Sequence, residues 1–289
     1  MLVLSGANSL LARHILPVAR DNYKVVAFDE DKGAIDDEDF IRELLDESNP
    51  SIFINCTEFS LMEDCEFYRE KAYQVNGLAP GIIAEICAER DIKLVHFSTP
   101  AVFSGEKDTS YTESDVPQPY NVFGDSKLLG EKKIEQSGCR HLVIRVPDVY
   151  GRKDSFVHAF FRDMKNGKSI EVIQNHRKNP TYADDVAHVL QMLLDKNAEG
   201  LVHMANLGDC TIYEFYKKAH DLYERMGMNH VDFNVQEIPF EEFITPVDYP
   251  LNSLLEPARL KDEFSFTPDT WDRALERFMT QHAEELSAQ

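Results

Sequence analysis

Along the first half of the chain, short and mostly apolar runs alternate with longer stretches in which apolar positions recur every three or four residues. The short runs are Leu2-Val3-Leu4, Lys24 to Phe28, Ser51 to Asn55, Lys93 to Phe97 and His141 to Val146. Apolar runs of this length describe strands covered on both faces. Between them, Leu10, Leu11, Ile15 and Val18 share one face of a helix over Leu10 to Arg20. Phe40, Ile41, Leu44 and Leu45 mark a second helix that stops before Pro50, Ile82, Ile83 and Ile86 a third over Ala79 to Arg90, and Val122 to Gln136 is a fourth. This alternation predicts an α/β chain with a Rossmann-like doubly wound parallel sheet and helices on both faces.

After Gly151 the rhythm changes. Helices are expected over Phe156 to Asn166, Asp184 to Lys196, Ile212 to Met226 and Asp269 to Glu285, with short extended pieces at Glu171-Val172-Ile173 and Val202-His203-Met204. Ile238 to Leu255 carries Pro239, Pro246 and Pro250 and is expected to be a long loop. The division this predicts is a dinucleotide-binding Rossmann-type domain over 1–150, joined by parts of 180–206, and a smaller, mostly helical substrate-binding lobe over 151–289. The ligand crevice would lie between them.

Charge narrows the range of partners. Thirty basic against 51 acidic residues give a formal net charge of −21 in 289 residues. A nucleic-acid or anionic-membrane binder should carry a basic stripe, and the densest basic cluster, Lys127 to Lys133, is interrupted by Glu131. A small anionic ligand stays compatible, because backbone N–H groups bind phosphate whatever the net charge. The cysteines (Cys56, Cys65, Cys87, Cys139, Cys210) are odd in number and scattered, and the histidines form no metal-ligand spacing. Reduced, mostly buried thiols in a cytoplasmic protein are expected, with no metal. No apolar run of ~18 residues predicts a membrane span, and the first apolar run reaches Ser5-Gly6 too early for a signal peptide.

Candidate chemistry begins at the first strand-to-helix turn, Gly6-Ala7-Asn8-Ser9-Leu10-Leu11-Ala12. Gly6 can take a positive φ, and Ser9 and Ala12 are small enough for a pyrophosphate to approach the helix N-terminus. Asp29 ends the second strand, where a carboxylate can accept from a ribose 2′-hydroxyl, which favours NAD over NADP. A plain turn without ligand, and a solvated acidic loop at Asp29-Glu30-Asp31, are the competing readings.

Further segments follow in order: Asn55-Cys56-Thr57; Val75-Asn76-Gly77; His96-Phe97-Ser98-Thr99 with Val102-Phe103 and Gly105; Pro119 to Lys132; Arg145 with Val149-Tyr150-Gly151; Pro180-Thr181-Tyr182-Ala183-Asp184-Asp185; and Pro250-Leu251-Asn252-Ser253. In this order and spacing they resemble the extended short-chain dehydrogenase/reductases over nearly the whole chain, and within them the dTDP-4-dehydrorhamnose reductases. The resemblance implies NAD or NADP held by Gly6, Asn8, Ser9, Leu10, Asp29, Ile35, Asp36, Asn55, Cys56, Thr57 and Lys127. It implies a nucleotide sugar held by Thr99, Val102, Phe103, Asn121, Asn252 and Ser253. In that family a Ser or Thr, a Tyr, and a Lys four residues after the Tyr carry the proton chemistry. Thr99 takes the hydroxyl position and Lys127 the lysine position, and the tyrosine position is Phe123.

Phenylalanine has no proton to give, and loss of a positioned general acid costs ~10²–10⁴-fold. Tyr120, one helical turn earlier, is a remote substitute. Other departures are the loss of two of the family's three turn glycines, the sequence Ser98-Thr99-Pro100-Ala101, and Tyr249-Pro250 where the family carries an Arg. A missing guanidinium removes a bidentate phosphate clamp. Two functions follow from the resemblance. One is an NAD(P)-dependent reductase of 4-keto nucleotide sugars with an eroded catalytic motif. The alternative is a non-catalytic nucleotide-binding regulatory subunit, like the methionine adenosyltransferase beta subunit, with a homodimer or a protein partner. An epimerase or dehydratase also needs the tyrosine.

Overall fold

The computed structural model describes residues 1–153, 155–228 and 230–288. Five apolar runs of the first half form parallel strands: β1 Leu2–Ser5, β2 Val25–Phe28, β3 Ile52–Asn55, β4 Lys93–Ser98 and β5 His141–Arg145. A sixth strand, Gly200–His203, pairs in parallel with β5 at the far edge. The order across the sheet is sixth strand, β5, β4, β3, β1, β2. The chain winds outward in opposite directions from β1 and β3, so a crevice opens between their C-terminal ends, as in other doubly wound sheets.

Local chemistry sets the helix starts. Ser9 caps α1 (Leu10–Asn22), its hydroxyl accepting from the Ala12 N–H at 3.2 Å. Asp37 caps Glu38–Ser48 through the Phe40 N–H, and Asn121 caps Val122–Gln136 through the Gly124 N–H at 2.8 Å. Thr211 and Glu214 form a reciprocal capping box on Ile212–Arg225. Such caps satisfy N–H groups that a helix leaves orphaned.

Two apolar layers sandwich the sheet. On one face α1 and the helix Ala183–Asp195 pack through Ala12, Ile15, Val186 and Leu190 over Leu4, Ile54, Val95 and Ile144. On the other, Ile41, Leu45, Ile83 and Ile86 cover Val3, Phe53 and Leu94. A third core is rich in stacked and edge-on rings (Tyr150, Phe161, Tyr182, Phe215, Tyr223, Phe278) and gathers the helices Phe156–Lys165, Ile212–Arg225 and Trp271–Gln281.

The pattern left several elements unseen. Two short helices, Met62–Phe67 and Arg69–Ala72, run into a π-helical turn, Tyr73–Leu78, before Ala79–Glu89. The segment expected as a loop from Ile238 is preceded by a strand, Val235–Ile238, that pairs in parallel with Ile170–Ile173, and contains a 3₁₀ turn at Phe240–Glu242. The last predicted helix breaks at His282 into Trp271–Gln281 and Ala283–Ala288. All five cysteines are free and buried. No helix among the described residues is long and apolar enough to cross a membrane.

Candidate functional site

A cleft of about 560 Å³ lies at the C-terminal ends of β1 to β5. It takes Gly6, Asn8, Ser9 and Leu10 from the first turn, Asp29 and Glu30 from the end of β2, and Asn55, Cys56, Thr57 and Glu58 from β3 and beyond. Ser98 and Thr99 enter from β4, Val146, Pro147 and Asp148 from β5, and Phe123 and Lys127 from the helix Val122–Gln136.

At the first turn Gly6 has φ +70°. A Cβ there would sit 2.7 Å from the Cys56 carbonyl carbon and from the Thr57 nitrogen. Only glycine tolerates both the sign of φ and that approach. The Asp29 carboxylate accepts from the Asn8 N–H at 2.7 Å and from the Glu30 N–H at 3.0 Å, so it ties the end of β2 to the turn after β1.

The floor is a polar layer inside the sheet. Asn55 accepts from the Ser5 hydroxyl at 2.9 Å and from the Thr57 N–H at 3.0 Å, while its amide nitrogen lies 3.2 Å from His96 Nδ1. Burial, with Lys127 beside it, holds the His96 imidazole well below its ordinary pKa, so it is neutral. Burial likewise pushes the Cys56 thiol up, which keeps it protonated and inert. Asn76, in the π-helical turn, accepts from the Phe59 N–H at 2.8 Å and donates to the Phe59 carbonyl at 2.9 Å, fixing the loop that carries Glu58.

The helix Val122–Gln136 reaches the cleft because Gly124 lies against the 3₁₀ turn Pro100–Val102. A Cβ at Gly124 would sit 2.0 Å from the Ala101 carbonyl oxygen. Phe123 and Lys127, four residues apart, therefore project from one helical face into the cleft. Lys127 Nζ donates to the Phe97 carbonyl at 2.6 Å and lies 3.3 Å from Glu58 Oε2. Lys127 is not the surface partner of Glu131; that carboxylate faces Arg145. Phe123 is buried with Ala101 and Cys65 against Phe59 and Met62. Thr99 lines the cleft and also accepts from the Ala101 N–H at 3.2 Å.

The remaining sequence candidates lie elsewhere. Ile35 and Asp36 border an adjoining hollow with Glu30, Ala34 and Lys71. Val102 and Phe103 are fully buried behind the cleft, where Phe103 stacks on Tyr111 and carries the Arg145 guanidinium 4.9 Å from its centroid. Asn121 spends its carbonyl on the helix cap and its amide on the Asp248 carbonyl at 3.0 Å. Asn252 donates to the carbonyls of Lys107 and Thr109, and the Ser253 hydroxyl turns back to Pro250. Three side chains thus hold loops together in the place of contacting the cleft, because buried amides and hydroxyls take the nearest backbone partners. Tyr120 is half exposed and lines a separate polar hollow, so its hydroxyl does not replace the one absent at Phe123.

Glu58, Ser60, Met62 and Asp148 also line the cleft and carry no sequence signal of their own. Asp148 is held below the usual carboxylate range by Lys178 at 2.5 Å against the opposing effect of burial. Tyr249, at the position of the family's arginine, donates to Glu63 in the helix Met62–Phe67.

The chain as a whole is similar to known proteins. A family model described as RmlD substrate binding domain matches residues 1–284. A dTDP-4-dehydrorhamnose reductase of Aggregatibacter actinomycetemcomitans is 27% identical over 95% of this chain and 96% of its own. A probable low-salt glycan biosynthesis reductase of Haloferax volcanii is 31% identical over 74% of this chain and 77% of its own. Among solved structures, the dTDP-4-dehydrorhamnose reductase of Bacillus anthracis in complex with NADP superposes with a TM-score of 0.91 at 26% identity, covering 97% of this chain and 98% of that one.

Proposed function

The chain belongs to the RmlD substrate binding domain family, and from that premise we propose that it is a reductase-like protein of nucleotide-sugar metabolism that binds NAD(P) in this cleft, with proton delivery impaired by Phe123. The residues fit a dinucleotide. Gly6 lets the first turn pack against the Cys56–Thr57 backbone, the Ser9-capped turn lines the cleft, and Lys127 lines it from the opposite helix. The dinucleotide supplies the reducing equivalents. Gly6, Asn8, Ser9 and Leu10 would hold its phosphates, and Asp29 a ribose hydroxyl, where a carboxylate disfavours a 2′-phosphate and so favours NAD. The lobe over 151–289 would close the sugar side, and a cytoplasmic location agrees with five free, buried cysteines.

The observation that carries the reading is a single cleft that gathers the first turn, Thr99 and Lys127, with the Phe123 ring set in it one helical turn from Lys127. Reduction of a carbonyl needs a proton at its oxygen. Thr99 can donate one hydrogen bond there, and the Lys127 ammonium can polarise its surroundings, but neither stands where the absent phenol would. The resulting expectation is tight positioning with slow turnover. A non-catalytic binding subunit on the same fold is the second reading, and the same residue favours it.

One experiment separates them. NADH and NADPH are titrated into the protein by nicotinamide fluorescence, and a 4-keto sugar nucleotide is then offered to the native chain and to Phe123→Tyr. The expected result is cofactor binding by both and a rise in keto-sugar reduction of ~10²–10⁴-fold in the variant. A variant that binds cofactor and is no faster overturns the reductase reading in favour of the binding subunit.

A further inference from the structure

Resting on the NAD(P) reading above, we propose that Glu58 is a specificity-determining residue that occupies Lys127 and holds down the affinity of the cleft for a dinucleotide. Lys127 is almost wholly buried, with its side chain 1% exposed, whereas the Glu58 side chain is 40% exposed at the cleft wall. The buried ammonium has three donors. One is spent on the Phe97 carbonyl at 2.6 Å, and the carboxylate of Glu58, 3.3 Å away, attracts the rest. A neutral ligand hydroxyl cannot displace a carboxylate from an ammonium on equal terms, because only the carboxylate adds the attraction of an opposite charge to the hydrogen bond.

The surroundings reinforce the effect. Asp29, Glu30, Glu58 and Asp148 line the cleft, and Lys127 is the only Lys or Arg among its described lining residues. With Glu58 on Lys127, that cation is already neutralised when a ligand bearing two phosphates arrives. Like charges in a partly closed cleft interact within a screening length of ~10 Å. Glu58 is held in place by its loop, which Asn76 fixes through Phe59, so the carboxylate faces Lys127 by construction of the backbone.

The test compares the native chain with Glu58→Gln, which keeps size and hydrogen bonding and removes the charge, and with Glu58→Ala. Dissociation constants for NADH and NADPH are measured by nicotinamide fluorescence, and for 5′-ADP by calorimetry. 5′-ADP carries the two phosphates that would meet the first turn but lacks the second half of the dinucleotide, which would extend to Lys127. The expected result is that both variants bind the dinucleotides ~10-fold more tightly, with 5′-ADP, which feels the relieved repulsion at its phosphates but makes no contact with Lys127, gaining less. Dinucleotide affinity that is unchanged or weaker in both folded variants, with 5′-ADP still bound, overturns the role of Glu58 and leaves the dinucleotide reading intact. Failure of every form to bind either dinucleotides or 5′-ADP overturns that reading, and this inference with it.

Discussion

At the scale of single residues the cleft is decided by what a side chain excludes as much as by what it offers. Gly6 is the sharpest case. Its φ of +70° and the Cys56 and Thr57 backbone 2.7 Å from where a Cβ would stand make two demands on one atom. Gly6→Ala is expected to lose about 1–2 kcal/mol from the left-handed conformation alone, and more where β3 must move aside. Thermal unfolding and a dinucleotide titration check this together: a variant with unchanged midpoint and unchanged affinity would show that the turn neither needs glycine nor faces the ligand. Gly6 was legible from its place between a short apolar run and a helical one. Glu58 was not, because a carboxylate three residues beyond a strand has no pattern. Its meaning comes from the Lys127 ammonium, 69 positions along the chain and brought within 3.3 Å only by the fold.

At the scale of elements, one carboxylate joins the pieces that build the cleft. Glu131 accepts from Arg145 Nε at 2.9 Å and Nη2 at 2.6 Å, and from the Ser98 hydroxyl at 2.5 Å, so it ties the helix carrying Phe123 and Lys127 to β4 and β5. Arg145 is buried and Glu131 nearly so. Glu131→Gln would leave the Arg145 guanidinium without its counter-charge in the interior, an error that costs ~3–5 kcal/mol. Urea unfolding measures it, and a loss below ~0.5 kcal/mol would mean that water or His203, 3.4 Å from the guanidinium, replaces the carboxylate. The apolar period marked this helix and both strands, since each buries a continuous face. It did not mark their partners. Lys127 and Glu131 stand four residues apart on one helix, yet Gly124 and Gly130 draw that helix against neighbouring segments, with Gly130 close to the Asn76 carbonyl, and the two charges take separate partners in Glu58 and Arg145. The π-helical turn at Tyr73–Leu78 was equally hidden, because one extra residue in a helical register leaves the apolar rhythm almost unchanged.

For the whole molecule, the dominant balance is between an acidic exterior and an interior that keeps imidazoles neutral. The formal charge of −21 contributes self-repulsion that relaxes as carboxylates protonate. Three buried histidines act in the opposite direction. His176 and His203 are pushed down to about 3, chiefly by burial and then by the neighbouring Lys178 and Arg145, and His96 lies well below its ordinary value. In the unfolded chain each takes up a proton near pH 6.5. Between pH 6.5 and about 3 the unfolded state therefore binds more protons than the native state, and stability falls as pH falls, by ~1.4 kcal/mol per pH unit for each histidine fully out of step. Asp184, held to about 2 by its bonds to His14 and Tyr182 despite burial, adds a loss confined to the range below about 4. Relief of surface repulsion is spread over many screened, exposed carboxylates that titrate mostly below pH 5. The histidine effect comes first on the way down from neutrality and outweighs it there. Urea midpoints measured from pH 7.5 to 5 should fall steadily, with the steepest slope below 6.5. Replacing His203, which sits in the contact between β5 and the sixth strand, by Gln should flatten that slope by up to one proton while lowering stability at pH 7.5. A midpoint that rises on acidification would show that the acidic surface, and not the neutral interior, sets the response of this molecule to pH.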